Sequence, residues 1–165
     1  MNNPLDFSGK VALSFKPVDG MLVYGSVSTG FKTGGFNTQF VFGSLDEIDP
    51  VDNEKLTAYE IGSKFQLWGG RAQINLAAFH YDYRDVQLVV LTTVPGAPFP
   101  SNFLRNAGDA TLRGLDIDLT MQPMDTTTLM LGLGVLDTEL KSSEVVVSGG
   151  AAIAVDGNQL PKAPK

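Results

Sequence analysis

The chain has a single histidine, His80, and two aspartates, Asp82 and Asp85, follow it closely in the sequence. An imidazole beside carboxylates can act as a general acid or base, and the same groups can bind a metal ion. On a β-strand His80 and Asp82 would share one face, whereas Asp85 would lie on the other. One histidine with scattered carboxylates is a weak ligand set for a transition metal. The sequence therefore predicts neither a metal site nor a catalytic site around His80.

A second group of acidic side chains, Asp116 and Asp118, could do the acid–base chemistry of a hydrolase. These aspartates alternate, however, with the apolar residues Leu115, Ile117 and Leu119. A solvated strand face explains this pattern without any cost of burying charge, so the hydrolase remains the weaker alternative. The same explanation covers further polar residues at alternate positions, namely Glu60, Lys64, Gln73 and Asn75.

An acidic run at residues 46–52 raises the question of calcium, because oxygen-rich loops can bind this ion. The spacing of the run does not match an EF-hand, and Pro50 interrupts its backbone geometry. A solvated loop is the simpler explanation, since exposed loops are usually polar. No metal and no cofactor is therefore predicted.

The stretch GSVSTGFKTGG, from Gly25 to Gly35, comes within one residue of a phosphate-binding loop. In such a loop a lysine follows the last glycine directly and a helix begins, but here Phe31 stands before Lys32. The residues that follow are poor helix formers. The glycines are better explained by a strand that bends sharply into a long loop.

Composition narrows the class of protein further. The chain has 165 residues, the size of one domain, and its net charge of −6 makes nucleic acid a poor partner. It has no cysteine, which excludes disulfides and thiolate metal sites. The longest uncharged stretch, 86–104, contains three prolines and cannot be a membrane-spanning helix. Residues 1–20 lack the pattern of a signal peptide.

Alternation of apolar and polar side chains, which is the period of a β-strand, predicts the elements that carry these residues. The alternation is cleanest in Thr57–Leu67, Leu115–Met121 and Leu129–Val135. Six strands are predicted, with a seventh beginning near Leu160. The six lie near residues 9–17, 21–31, 55–68, 71–89, 104–122 and 127–139.

The apolar positions change parity after Ala78, so that Phe79, Tyr81 and Tyr83 fall on the other face of their strand. A bulge, or emergence of the strand from an apolar layer, would explain the change. Together with His80, we expect these aromatic residues to lie in a belt at a membrane interface, where such side chains are enriched.

The connections between the predicted strands alternate in length. The short ones are 17–20, 68–71 and 122–126, and the long ones cover roughly 32–54, 90–103 and 140–159. In an up-and-down antiparallel sheet, one end then has only tight turns and the other only long loops. This layout is typical of outer-membrane β-barrels, whose apolar strand face points to lipid. A soluble β-sandwich that binds a ligand such as a saccharide, with the apolar face inward, is the alternative.

Four segments resemble one known family. The segment LVYGSVSTGFKTGGFN (residues 22–37) is similar to the strand-to-loop signature of TonB-dependent receptors, the transporters of the outer membrane. The resemblance continues in the family's order through EKLTAYEIGSKFQLWGGRAQINLAAFHYDYRDVQ (54–87), NAGDATLRGLDIDL (106–119) and DGNQLPKAPK (156–165). Each segment alone is a weak match, but four in order cover nearly the whole chain.

The resemblance implies an all-β fold, an antiparallel up-and-down meander of six to seven strands that is part of a transmembrane β-barrel and is not closed on its own. It implies uptake of a scarce nutrient, such as an iron–siderophore complex, across the outer membrane of a Gram-negative bacterium, without enzymatic activity. The implied partners are outer-membrane lipid, the TonB energy-coupling complex and a siderophore-like ligand.

The resemblance also singles out residues and sets an expectation about domains. Family members carry an N-terminal plug domain and a terminal strand ending in an aromatic residue; neither is recognised, so residues 1–165 are expected to be an interior part of the barrel. The matching positions, which we expect to be structural, are Gly30, Gly34, Gly35, Asn37, Tyr59, Glu60, Gly62, Lys64, Asn106, Ala107, Gly108 and Gly114.

Four aromatic residues at the start of the first long link are candidates for substrate binding. They are Phe31, Phe36, Phe40 and Phe42. External loops carry ligand recognition on such scaffolds, and aromatic side chains often anchor ligands. The same residues could instead pack the loop against the barrel rim, and both interpretations stay open.

Overall fold

A computed structural model describes residues 6–36, 50–92, 101–142, 145–148, 151–154, 156–160 and 163 of the chain. This part is built almost entirely of β-strands. In chain order they are β1 (Gly9–Phe15), β2 (Met21–Lys32), β3 (Gly35–Phe36), β4 (Pro50–Val51), β5 (Glu54–Leu67), β6 (Ala72–Arg84), β7 (Gln87–Thr92), β8 (Ser101–Asn106), β9 (Asp109–Met124), β10 (Thr127–Lys141), β11 (Val145–Ser148) and β12 (Ala151–Ala154).

Six of these strands form one antiparallel sheet in the order β1-β2-β5-β6-β9-β10. The remaining strands pair as short two-stranded ribbons, β3–β4, β7–β8 and β11–β12. The large sheet is an up-and-down meander, and its two outer strands do not pair with each other. The prediction of an all-β, unclosed antiparallel meander of six to seven strands is therefore confirmed, with six strands in the large sheet.

Two of the predicted strands are each divided in the structure. The stretch 71–89 forms β6 and β7, and 104–122 begins as β8 and continues as β9. The chain leaves the large sheet where Asp85 adopts φ 55° and re-enters it where Gly108 adopts φ 112°. This left-handed backbone cannot continue a β-ladder, so each strand is interrupted there. Both breaks fall in short polar stretches, Arg84-Asp85 and Arg105–Asp109, which also occur inside continuous strands, so the sequence alone does not identify them as strand ends.

The short connections lie together at one end of the large sheet, which we call the turn end; the opposite end is the loop end. The β5–β6 connection is a single helical turn at Trp68–Gly70, with positive φ at all three residues. The backbone N–H of Gln122 donates to the carbonyl of Arg71 over 2.7 Å, and the Arg71 guanidinium pairs with Asp125. These contacts join two adjacent tight turns. Within the described ranges, no helix is long and apolar enough to cross a membrane.

Residues directly opposite each other on antiparallel neighbours point to the same side, so the register defines two faces of the sheet. On the apolar face, Ile61, Ala78 and Leu115 form one row across β5, β6 and β9, and Leu76, Ile117 and Leu133 form the next row across β6, β9 and β10. On the polar face, Lys64, Asn75 and Asp118 form one row across β5, β6 and β9. Ala77 is opposite Asp116 on the same face, and Glu60 also lies on this side. The polar residues predicted to share one face do so.

The apolar face is uncovered. Leu115 is 54% exposed, Ile117 41% and Leu131 55%, although they lie in the middle of long strands. In a soluble sandwich these side chains would be packed between two sheets. Their exposure favours the membrane barrel over the sandwich, because lipid can cover such a face where a second protein layer does not.

The buried apolar cluster of the described residues is small and lies at the loop end. Val86, Ala110 and Leu140 form it, and Tyr83, Leu88 and Leu160 pack against it. Ala110 is opposite both Tyr83 and Leu140 in the register, so the cluster lies on the polar-face side. The connections thus fold over the inner side of the sheet at this end.

A segment near the predicted seventh strand lies alongside β10. The Leu140 N–H donates to the carbonyl of Asn158 over 2.8 Å, and the Gly157 N–H donates back to the Leu140 carbonyl over 2.8 Å. The Leu160 N–H donates to Thr138 Oγ1 over 3.1 Å. Residues 156–160 therefore continue the sheet beside β10, although they do not form a regular strand.

Candidate functional site

The polar face contains an open depression of about 260 Å³. Its lining includes the side chains of Glu60, Lys64, Asn75, Asp116 and Asp118. Strands β2, β5, β6 and β9 contribute to it, so the meander itself brings these groups together. A depression of this kind, lined by hydrogen-bonding groups, is suited to contact a polar surface or solute.

Tyr24 and Glu60 form a partly buried hydrogen bond within this lining. The Tyr24 hydroxyl donates to Glu60 Oε1 over 2.7 Å across neighbouring strands. The ring lies over Gly62, where an added Cβ would be only 2.5 Å from Tyr24 Cζ. Glycine at position 62 therefore permits the ring to lie flat on the sheet, and this orientation sets the position of the Glu60 carboxylate.

Gly114 on β9 likewise leaves space for the ring of Phe79, which lies opposite it on β6. An added Cβ at Gly114 would be 2.5 Å from Phe79 Cζ and 2.3 Å from the Val135 carbonyl oxygen. Phe79 and Tyr81 pack with ring centroids 4.9 Å apart. The motif residues Gly62 and Gly114 thus make room for a layer of aromatic rings on the polar face.

The structure corrects the expectation for the aromatic belt. The register between β5, β6 and β9 continues without a bulge past Ala78. Phe79, Tyr81 and Tyr83 therefore lie on the polar-face side, whereas His80 lies on the other side beside Tyr59, with ring centroids 6.4 Å apart. The change of parity arises because the strand extends beyond its apolar stretch. Past Ala78, the apolar face continues with polar residues, whereas the polar face continues with aromatic residues.

His80 and the paired aspartates are on opposite sides of the sheet. His80 is the single histidine of the chain, so neither Asp116 nor Asp118 has an imidazole beside it. His80 Nε2 lies 3.1 Å from Asp82 Oδ1, as the shared strand face predicts, while Asp85 lies beyond the end of β6. Within the described ranges, no three His, Cys, Asp or Glu side chains are gathered in a way that could hold a metal ion.

A hydrogen-bonded rim joins the strand ends at the loop end, and Asn106 is its centre. Asn106 Oδ1 accepts from the Asp52 N–H over 2.8 Å, and Nδ2 donates to the carbonyls of Asp52 (3.0 Å) and Asp85 (2.8 Å). Ala107 and Gly108 bond to both backbone groups of Val86 over 2.7 Å. The Asn-Ala-Gly motif therefore ties three connections together.

Gly108 is the motif residue whose identity the backbone requires. Its φ is +112°, and an added Cβ would be 2.3 Å from the Lys141 carbonyl oxygen. Both features exclude a side chain, because L-residues rarely adopt this φ and the neighbouring strand is already in contact.

Gln87 is a second member of the rim, and sequence reasoning missed it. Its backbone N–H donates to Glu54 Oε2 over 2.8 Å, and Nε2 donates to the carbonyls of Asp52 (3.0 Å) and Thr33 (3.3 Å). The residue is 6% exposed, and its Oε1 is buried without a hydrogen-bond partner. No local pattern identifies Gln87, because its partners are distant in sequence.

The first long link is held to the rim through Gly34 and Asn53. The Gly34 N–H donates to Asn53 Oδ1 over 2.7 Å, and an added Cβ at Gly34 would be 1.8 Å from the Val51 carbonyl oxygen. Asn53 in turn donates to Asp6, and Lys55 Nζ lies 2.6 Å from Asp6 Oδ1. Hydrogen bonds from Lys55 and Asn53 hold the pKa of Asp6 below its usual value.

The remaining motif residues make fewer close contacts in the structure. Gly30 has no atom within 4 Å of an added Cβ, and neither does Gly35. Lys64 lies on the polar face, Tyr59 on the other side, and Ala107 is buried in the rim. Asn37 lies outside the described residues.

The four candidate aromatics are only partly described. Phe31 lies opposite Lys55 near the end of β2, on the same side of the sheet as Val27, and is 41% exposed. Phe36 lies in the β3–β4 ribbon and is 52% exposed. Phe40 and Phe42 lie outside the described residues. The structure does not bring Phe31 to the polar face.

Comparisons with known proteins agree with this architecture. The family model for the TonB-dependent receptor-like β-barrel matches residues 2–165. The metal-pseudopaline receptor CntO of Pseudomonas aeruginosa is 30% identical over 104 residues, which are 63% of this chain and 14% of that protein.

Solved structures of receptors share the fold. The ferric yersiniabactin uptake receptor FyuA from Yersinia pestis superposes with a TM-score of 0.72 at 21% identity, over 95% of this chain and 21% of that one. The siderophore receptor PiuA from Acinetobacter baumannii gives 0.68 at 20% identity, over 96% and 22%. The chain thus spans about a fifth or less of the length of these relatives. The family consists of transport receptors rather than enzymes. Because the family model covers nearly every residue, the chain belongs to the TonB-dependent receptors and corresponds to part of their β-barrel domain.

Proposed function

We propose that the chain forms part of the wall of an outer-membrane receptor that takes up a scarce nutrient, such as an iron–siderophore complex, in a Gram-negative bacterium. The observation that carries the proposal is the uncovered apolar face, with Leu115, Ile117, Leu131 and Val135 all exposed along the strands. Water would penalise such a surface, whereas lipid hydrocarbon solvates it.

The polar face would then line the lumen. In lipid every backbone N–H and C=O needs a partner, and a sheet achieves this only by closing on itself. The six-stranded sheet of residues 1–165 would therefore be one sector of a larger barrel. The depression around Glu60, Lys64, Asp116 and Asp118 would face a plug domain or the passing solute.

A metal–chelate complex is the ligand class that we infer. The relatives named above are receptors for metal–pseudopaline and ferric yersiniabactin. Among the aromatic candidates, Phe36 is about half exposed in the β3–β4 ribbon, and Phe40 and Phe42 follow it in the sequence of the same link. We assign ligand contact to these three and a place on the lipid side of the rim to Phe31.

Transport on this proposal makes and breaks no covalent bond. The ligand binds at the loop end, and the TonB energy-coupling complex displaces the plug so that the ligand passes along the polar face. The rim of Asn106, Gln87 and Gly108 holds the bases of the connections in place while this happens.

The test is uptake of metal by cells that express the full-length receptor in a strain lacking its own receptors. The probes, each with radiolabelled metal, are ferric yersiniabactin, metal–pseudopaline and ferric preacinetobactin. The last is the ligand of the receptor BauA from Acinetobacter baumannii, which shares the fold with a TM-score of 0.56 at 24% identity. We expect energy-dependent uptake of at least one, abolished by an uncoupler. Phe36→Ala should weaken its uptake by about tenfold, the effect of losing a binding anchor, whereas the matched Phe31→Ala should not.

Failure of all three probes would reject the metal–chelate class. Uptake that persists in the presence of the uncoupler would reject the energy-coupled receptor. Equal losses in Phe31→Ala and Phe36→Ala would reject the assignment of ligand contact to the loop-end ribbon.

A further inference from the structure

The apolar face ends abruptly towards the loop end. Its last apolar row contains Ala78, Leu115 and Val135, which lie side by side on β6, β9 and β10. The next row on the same side contains His80, Arg113 and Asp137, and Asp82 and Glu139 lie in the row beyond. We call this the charged girdle, defined by His80, Asp82, Arg113, Asp137, Glu139 and Lys141. On β6, β9 and β10 this face thus changes from apolar to charged from one row to the next, whereas the same row carries Tyr59, Val27 and Val11 on β5, β2 and β1.

The charged girdle surrounds an open groove of about 260 Å³. Arg113 Nε and Nη2 both lie 2.8 Å from Asp137 Oδ2, which fixes the plane of the guanidinium. The Arg113 side chain nevertheless remains 69% exposed, so its other N–H groups are available to a ligand. Lys141 also lines the groove, and within the described part of the chain no carboxylate lies within ion-pair distance of it.

The position of the girdle follows from the proposed function, on which this inference rests. Successive residues on one face of a strand are about 7 Å apart. If lipid hydrocarbon covers the apolar face up to Leu115 and Val135, the girdle lies in the headgroup layer directly beyond it. Tyr59, beside His80, is a residue type enriched at this depth. The groove faces outward, away from the lumen, so a transported solute would not reach it.

We propose that the charged girdle binds the phosphorylated headgroup of a lipid of the outer leaflet. The phosphate would lie between Arg113 and Lys141, since guanidinium and ammonium groups are the side chains that bind phosphate. Asp137 holds Arg113 in position. Together with Asp137, Glu139 and Asp82 give the groove three carboxylates beside the cations of Arg113 and Lys141, so a bare phosphate would not be attracted to it. Glu139 and Asp82 would accept hydrogen bonds from hydroxyl or ammonium groups, so the favoured headgroup carries such donors as well as a phosphate.

Native mass spectrometry of the full-length receptor in detergent can test this proposal. The probes are a bisphosphorylated glucosamine disaccharide lipid and its dephosphorylated form. We expect the phosphorylated lipid to bind more tightly. Each cation near an anionic headgroup contributes about fivefold, so Arg113→Gln with Lys141→Gln should weaken its binding by about 30-fold. The matched control, Lys10→Gln with Lys16→Gln, removes the same charge away from the girdle and should change binding by less than about twofold.

A variant that binds the lipid more tightly can show that the loss of binding described above does not come from misfolding. Thr111 lies between Asp82 and Glu139 in the register, in the middle of the groove. Thr111→Arg should strengthen binding of the phosphorylated lipid by about fivefold, as expected for one added cation. A misfolded receptor would not show this increase.

Several outcomes would overturn the proposal. These are equal affinity for the two lipids, an equal loss in the control variant, no gain in Thr111→Arg, or displacement of the lipid by millimolar inorganic phosphate, which would indicate a simple anion site. A receptor that takes up metal but does not distinguish the lipids would refute this inference alone. A receptor that distinguishes them but takes up no probe would refute the nutrient assignment alone.

Discussion

Two glycines explain how aromatic rings lie on the polar face. Gly62 is opposite Tyr24, and Gly114 is opposite Phe79, on neighbouring strands. In both pairs the ring occupies the space where a Cβ would be. An aromatic ring that covers a cross-strand glycine replaces the side-chain packing that the glycine lacks. At the residue scale, therefore, these motif glycines are needed for packing and not for backbone flexibility.

We predict that Gly114→Ala destabilises the full-length receptor by about 1–3 kcal/mol, the usual cost of overpacking. The new methyl group would meet the Val135 carbonyl at 2.3 Å, and backbone cannot rotate away as a side chain can. Gly30→Ala is the matched control, because an added Cβ there meets nothing within 4 Å. Urea unfolding of both variants measures the difference. Similar unfolding free energies would show that the sheet relaxes around position 114.

At the scale of elements, the strands β6, β9 and β10 are longer than the apolar layer that a strand of about 9–11 residues crosses. β9 carries Leu115, Ile117 and Leu119 on one face, followed towards the loop end by Arg113 and Thr111 on the same face. β6 and β10 change from apolar to charged residues at the same level. The depth of the apolar layer is thus set by several strands in register.

Introducing an arginine should destabilise the receptor strongly on the apolar face and only weakly on the polar face. Ile117→Arg places a guanidinium on the apolar face near its middle and should cost about 2–4 kcal/mol in a lipid bilayer. Asp118→Arg, at nearly the same depth on the polar face, should cost much less. Equilibrium unfolding in liposomes measures both. A larger cost for Asp118→Arg would mean that the two faces have been assigned the wrong way round.

The hydrogen-bonded rim also belongs to the scale of elements, because it joins the ends of several strands. Asn106→Ala removes three hydrogen bonds to the backbone of Asp52 and Asp85. It should cost about 1–3 kcal/mol, because the Asp52 N–H and the Asp85 carbonyl lose this partner, whereas the Asp52 carbonyl keeps its bond from Gln87. Asn75→Ala on the polar face, where the side chain accepts a bond from Gln73, is the control and should cost less. The unfolding free energies of the two variants give the comparison. Equal costs would contradict a special role for Asn106.

At the scale of the whole molecule, the sheet is a sector that other strands must complete. The outward side chains of β1 are exposed, including Val11 at 71% and Leu13 at 78%, and one edge of this strand has no partner in the described part of the chain. Unpaired edges and uncovered apolar faces favour association with further copies.

We therefore predict that residues 1–165 expressed alone do not remain monomeric in water. Detergent should be needed to keep them in solution, because it covers the apolar face. Analytical ultracentrifugation with and without detergent provides the measurement. A monomer in water with a sharp unfolding transition would instead favour the soluble sandwich.

The strands and the two faces could be predicted because their signals are local. Alternation along Leu115–Met121 or Leu129–Val135 follows from the two-residue period of a strand. The breaks at Asp85 and Gly108 could not, because a polar stretch of two to five residues also occurs inside continuous strands and does not show that the backbone turns there. Gln87 was missed for a related reason, since its partners Thr33, Asp52 and Glu54 are more than 30 residues away.

The sequence by itself determined the order of the strands, the alternation of their faces and the family, all of which depend on neighbouring residues and short motifs. The tertiary structure decided which side chains meet. It placed Phe79, Tyr81 and Tyr83 on the polar side and His80 on the other, and it brought Asn106 to Asp52. The physical reason is that strand register is fixed by hydrogen bonds between distant segments, so the partners of a side chain depend on the pairing of whole strands.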